Sequence, residues 1–124
     1  MELKPKNPEV HNNLGLVLWR YGHREEALAQ YREAVRIKGE VMALRGNLAG
    51  ALMEMQRFDE AAEQYRIMIG EMPNDPNLHA TMGYIHAQMK RFPEAKQEFE
   101  TAMKLDPNSR MLQQNYEALR RMAP

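Results

Sequence analysis

Residues 13–34 read NLGLVLWRYGHREEALAQYREA, residues 47–68 read NLAGALMEMQRFDEAAEQYRIM, and residues 81–102 read TMGYIHAQMKRFPEAKQEFETA. Each stretch begins 34 residues after the one before it, without a gap. The shift superposes Asn13-Leu14-Gly15 on Asn47-Leu48-Ala49 and Thr81-Met82-Gly83, and Glu26-Ala27 on Glu60-Ala61 and Glu94-Ala95. It also superposes Tyr31 on Tyr65 and Phe99, and Ala34 on Met68 and Ala102. A fourth, partial copy begins at Arg110, where Asn115-Tyr116 falls on the Asn-Leu columns. Repetition at this length is the signature of stacked supersecondary units, each too small to bury its own apolar face.

Within each copy the pattern predicts two helices. The first spans roughly Pro8–Tyr21, Met42–Met55 and Pro76–Met89, the second roughly Glu25–Lys38, Asp59–Met72 and Pro93–Leu105. Asn7-Pro8, Asp75-Pro76 and Phe92-Pro93 put proline at a first helical position, where its missing N–H costs nothing. Asn7, Asp75 and Ser109 are expected N-caps. Gly22 suits the left-handed residue that closes a helix, and Pro73 and Pro107 stop second helices.

This layout resembles the tetratricopeptide repeat (TPR) family, whose unit is a 34-residue helix–turn–helix with small residues where its helices cross. Leu14, Gly15, Ala27, Tyr31 and Ala34 carry the family pattern in the first copy, and Met82, Gly83, Ala95, Phe99, Ala102 and Pro107 in the third. The second copy departs from it, with Ala49 for Gly, Met68 for the second Ala, and Gly39 in place of the proline expected before it. The resemblance implies an all-α, right-handed solenoid: one domain over 1–124, repeats at about 8–41, 42–75 and 76–109, and a capping helix at about 110–122. Seven helices are expected.

Three faces of the first helices follow. Val10, Leu14, Val17 and Tyr21 share columns with Leu44, Leu48, Ala51 and Met55, with Leu78, Met82, Ile85 and Met89, and with Leu112, Tyr116, Leu119 and Ala123. All are apolar or aromatic, so this face should bury against the preceding repeat, taking most methionines into the core. A second face (His11, Gly15, Leu18 and their equivalents) should meet the second helix of the same repeat. In the last segment it becomes Gln113, Glu117 and Arg120, as expected of a solvated cap. The first copy has no preceding repeat in this sequence, although Leu3-Lys4-Pro5-Lys6-Asn7 looks like the tail of one. Its apolar edge is therefore expected to continue a longer array or to pair two copies as a homodimer.

The third face should line the concave side, where TPR proteins hold peptides. Its candidate binding residues are Asn12, Asn13, Leu16, Trp19, Arg20, Asn47, Gly50, Met53, Glu54, Asn77, Thr81, Tyr84, Gln88 and Asn115. Asn13, Asn47 and Asn115 share a column with Thr81, and amides there can bond a peptide backbone without reading its sequence. Leu16, Trp19, Met53 and Tyr84 add apolar anchors. The carboxylate clamp of co-chaperone TPR domains would fall on Asn12, Leu16, Asn47, Asn77 and Thr81, of which only Asn47 fits.

The rest of the sequence narrows the function by exclusion. Hydrophobic residues make up 44% and charged ones 27%, the range of globular chains. Seventeen basic side chains cancel seventeen acidic ones, leaving no electrostatic footprint for nucleic acid or anionic lipid. RNA binding in the manner of pentatricopeptide arrays is disfavoured by that neutrality and by the period. Cysteine is absent, and His79 and His86, seven apart on one helix, lie too far apart to share a metal. No phosphate loop, calcium loop or nucleophile elbow occurs, so neither catalysis nor a cofactor is expected. No run is apolar over bilayer length, and Met1-Glu2-Leu3-Lys4-Pro5 lacks a signal-peptide core, which favours the cytoplasm over secretion. The expectation is a non-catalytic module that binds a protein or peptide partner, the alternative a scaffold that assembles through Val10, Leu14, Val17 and Tyr21.

Overall fold

Asn7, Asp75 and Ser109 each turn a side-chain oxygen onto an otherwise unbonded N–H at a helix start. Asn7 accepts from Glu9 at 2.9 Å, Asp75 from Asn77 at 2.9 Å and Ser109 from Leu112 at 3.3 Å. The protein is described by a computed structural model covering residues 7–123. Seven helices and no strands occur among them: α1 (Pro8–Arg20), α2 (Arg24–Ile37), α3 (Met42–Glu54), α4 (Phe58–Glu71), α5 (Pro76–Gln88), α6 (Phe92–Leu105) and α7 (Arg110–Met122). None is long and apolar enough to cross a membrane. The expected helical tail at Leu3–Lys6 lies outside the described residues.

First helices end one residue earlier than the pattern predicts, because Tyr21, Met55 and Met89 serve as C-caps. The next residue is left-handed each time: Gly22 at φ +86°, Gln56 at +60° and Lys90 at +60°. The N–H beyond it then reaches five residues back, His23 to Leu18 at 2.9 Å, Arg57 to Leu52 and Arg91 to His86 at 2.8 Å. Glycine adopts this backbone freely, whereas glutamine and lysine do so at a steric cost.

The chain forms two compact units, α1–α3 through Arg57 and α4–α7 from Phe58. In the first, α2 packs against both α1 and α3; in the second, α4 packs on α5, α5 on α6 and α6 on α7. The α1–α2 and α5–α6 hairpins each cross where a ring lies on a glycine. A Cβ added to Gly15 would sit 2.8 Å from Tyr31, and one added to Gly83 would sit 3.0 Å from Phe99. The alanine columns flanking these rings (Ala27, Ala34, Ala61, Ala95 and Ala102) are fully enclosed. Leu44, Leu48 and Ala51, then Leu78, Met82 and Ile85, then Leu112 and Leu119 are buried, as their shared face predicts. The methionines depart from the expectation. Met68 and Met82 are buried, but Met111 and Met122 stand exposed on α7, whose neighbours leave most of its surface to solvent.

Each inter-repeat turn is held by a side chain six residues further on. Arg45 donates to the Gly39 carbonyl at 2.9 Å, His79 to the Pro73 carbonyl at 2.8 Å, and Gln113, weakly, to the Pro107 carbonyl at 3.5 Å. These are equivalent positions, so the turn with Gly39 for proline keeps the tether of the others. The buried His79 also meets the Glu98 carboxylate at 2.9 Å through its other ring nitrogen. Both partners are pure acceptors, so the ring satisfies both only as the doubly protonated cation. Burial alone would lower its pKa, but the bonds to Glu98 and Pro73 and the charges of Glu98 and Asp75 outweigh it and raise the value above 6.5. At the equivalent place in the first repeat, His11 meets the uncharged Gln30 at 2.7 Å.

Two outcomes follow. A folded pKa above the unfolded value means the His79 contribution is complete below pH 6.5 and is lost as pH rises through the raised value. Thermal melts should therefore show stability falling from mildly acid to mildly alkaline buffer, and His79→Gln should flatten that slope. Gln56→Gly and Lys90→Gly should each raise stability by about 0.5–1 kcal/mol in chemical denaturation, by relieving the left-handed backbone.

Candidate functional site

Periodicity places Leu16 and Trp19 on one side of α1, and Gly46, Asn47, Gly50, Ala51 and Glu54 along α3. Since both helices pack on α2, these residues and Tyr31 line an open hollow of about 270 Å³. A second hollow, of about 260 Å³, lies in the other unit between α5 and α7. Its lining is the first one advanced by two repeats. Tyr84 stands for Leu16, Ala87 for Trp19, Phe99 for Tyr31, Asn115 for Asn47, Ala118 for Gly50, Leu119 for Ala51 and Met122 for Glu54. Gln88, in the Arg20 column, joins the second hollow, whereas Arg20 does not line the first.

Of the candidate residues, Leu16, Trp19, Asn47, Gly50 and Glu54 meet at the first hollow, and Tyr84, Gln88 and Asn115 at the second. Asn12, Asn13, Arg20, Met53, Asn77 and Thr81 line neither. The asparagine column behaves unevenly. Asn47 donates to Asn12 across α3 and α1 at 3.0 Å, leaving its carbonyl and one N–H, while Thr81 spends its hydroxyl on the Asn77 carbonyl at 2.8 Å. Trp19 is half-buried, and the Arg24 guanidinium stacks 4.7 Å from its ring centroid.

The sequence pattern alone does not point to the floors. Tyr31 and Phe99 read as core residues, and they are buried, yet each also lines a hollow. Burial pushes the Tyr31 phenol above its ordinary pKa. Its hydroxyl has no hydrogen-bond partner among the described residues. Extending the 34-residue shift from Glu54 to Met122 would have found the last member of the second hollow.

A family model described as tetratricopeptide repeat matches residues 18–82 and 52–122. The chain belongs to the tetratricopeptide repeat family. Similar solved structures carry the same fold. The Arabidopsis OM64 TPR domain is 21% identical with a TM-score of 0.76, over 92% of this chain and 94% of that one. The first TPR of Spaghetti (RPAP3), bound to the HSP90 peptide SRMEEVD, is 16% identical with a TM-score of 0.78, over 98% of this chain and 96% of that one. A tetratricopeptide repeat protein from Parabacteroides merdae is 23% identical with a TM-score of 0.86, over 96% of this chain and 46% of that one. No curated protein matches the sequence. Among the described residues, no three His, Asp or Glu side chains are grouped to hold a metal ion.

Val10, Leu14, Val17 and Tyr21 are 45%, 44%, 50% and 74% exposed, although their equivalents in the later repeats are buried or half-buried. The edge face of α1 is thus apolar and open to solvent among the described residues. In α3, a Cβ added to Gly50 would meet nothing within 4 Å. Gly50→Ala should therefore stabilise the helix by roughly 0.5–1 kcal/mol, read as a higher denaturation midpoint, with its methyl projecting into the hollow.

Proposed function

We propose that this TPR chain binds a peptide segment of a partner protein on the face made by its first helices, in one array of three repeats and a cap, without catalysis or cofactor. The reading is carried by the recurrence of one hollow at positions two repeats apart, each with an aromatic floor and an asparagine on its wall. Aromatic surface supplies contact area at low entropic cost, and the amide supplies bonds to a peptide backbone. A TPR neighbour bound to a peptide supports the same class of ligand. The chemistry of the ligand differs, because Asn12, Leu16, Asn77 and Thr81 provide no cation for a terminal carboxylate. Zero net charge favours protein over nucleic acid as the partner.

A second reading rests on the exposed α1 edge: two copies, or a copy and a scaffold partner, associate through Val10, Leu14, Val17 and Tyr21. Burying four such side chains is worth on the order of 1.5–3 kcal/mol each before the costs of association.

Two double variants separate the readings. Trp19→Ala with Asn47→Ala should weaken capture of a bound peptide on the order of thirtyfold, with the helical circular dichroism unchanged. Leu14→Glu with Val17→Lys should leave that peptide bound and abolish concentration-dependent association in sedimentation. Binding that survives the first pair, or monomers alone at high concentration, overturns the corresponding reading.

A further inference from the structure

Glu54 breaks a local rule. It occupies the last turn of α3, where the helix dipole favours bases, and costs about 0.3–1 kcal/mol there. The other first helices and the cap end on bases: Arg20 in α1, His86 in α5, and Arg120 and Arg121 in α7. Among the described residues the Glu54 carboxylate makes no ion pair, not even with Arg20 in the equivalent position of α1. It lines the same hollow as Trp19, Leu16 and Tyr31, whose hydroxyl has no protein hydrogen-bond partner among the described residues. Trp19 already draws one cation, Arg24, to its ring. An unpaired, solvent-exposed carboxylate, an unpartnered hydroxyl and an apolar wall lie side by side there. The second hollow is the control. Met122, Phe99 and Ala87 replace Glu54, Tyr31 and Trp19, and no ionised group lines it.

We infer that the α1–α3 hollow receives an arginine or lysine side chain of the bound peptide. The alkyl stem lies along Leu16 and Trp19, and the charged head meets Glu54. The Tyr31 hydroxyl offers a further acceptor at the floor. The second hollow, lacking a charge, takes an apolar side chain. This inference rests on the peptide-binding reading and names the chemistry of its ligand.

The test selects tryptophan-free peptides from a randomised twelve-residue display library against the whole chain. Labelled copies are then titrated by fluorescence polarisation. A basic residue should recur at one position. Replacing it with citrulline, which keeps the length and removes the charge, should weaken binding roughly three- to tenfold. Glu54→Gln should weaken the arginine peptide by a similar factor without lowering the melting temperature. The two changes together should cost no more than either alone, and Met122→Ala should leave the arginine-to-citrulline ratio unchanged. Equal affinity for arginine and citrulline peptides, or a ratio indifferent to Glu54→Gln, overturns the cation inference. If Trp19→Ala with Asn47→Ala still removes binding in that case, the peptide-binding reading stands without it. Selected peptides indifferent to that pair, or a library that yields no binder, overturn both.

Discussion

An aromatic ring resting on a residue that has no side chain sets how closely the two helices of a repeat approach. Tyr31 on Gly15 and Phe99 on Gly83 do this in the α1–α2 and α5–α6 hairpins, and the alanine columns on either side let the backbones close around the ring. Any larger side chain at either glycine would meet the ring at 3.0 Å or less, so the crossing is fixed by volume rather than by hydrogen bonds. The same rings floor the two hollows. One contact therefore determines both the geometry of a repeat and the depth of its recess, and packing density is shared between stability and recognition.

The helix pairs were legible in the sequence because repetition multiplies a weak signal. A column such as Ala27, Ala61 and Ala95 is informative three times over. Caps were legible for a different reason, since Asn7, Asp75 and Ser109 act within three residues of themselves. The left-handed turns at Gln56 and Lys90 were not, because only Gly22 announces that backbone by residue type. Nor were the tethers from Arg45, His79 and Gln113: three different residue types share a column, and the group they hold is a carbonyl, which sequence never displays. Most methionines were expected in the core, yet among the described residues only Met68 and Met82 are buried, most of the others are half-buried, and Met111 and Met122 are exposed on α7.

The candidate surface was legible as a set of columns but not as a site. Fourteen residues share the expected face, yet only those beside a ring floor enclose space, and the rest of the face is surface or is spent on internal bonds, as Thr81 is on Asn77. Which rung of a repeat array can recognise anything depends on its neighbours one repeat away. The Asn47 to Asn12 bond illustrates this: a side chain that looks free on its own helix is half-committed across the gap. Glu54 is the converse case, a residue whose local setting is poor and whose surroundings leave it unpaired. Natural sequences tend to tolerate such conflicts where a function repays them.

The turn tethers give the joints of this protein separate temperaments. A guanidinium keeps its charge across the whole biological range, an amide never carries one, and an imidazolium surrenders its proton near neutrality. Three junctions tethered at equivalent positions thus answer differently to an acidifying or alkalising compartment, with only the one at His79 able to slacken. Anyone splicing further units into such a chain could choose, by exchanging a single donor, the conditions under which each new hinge holds.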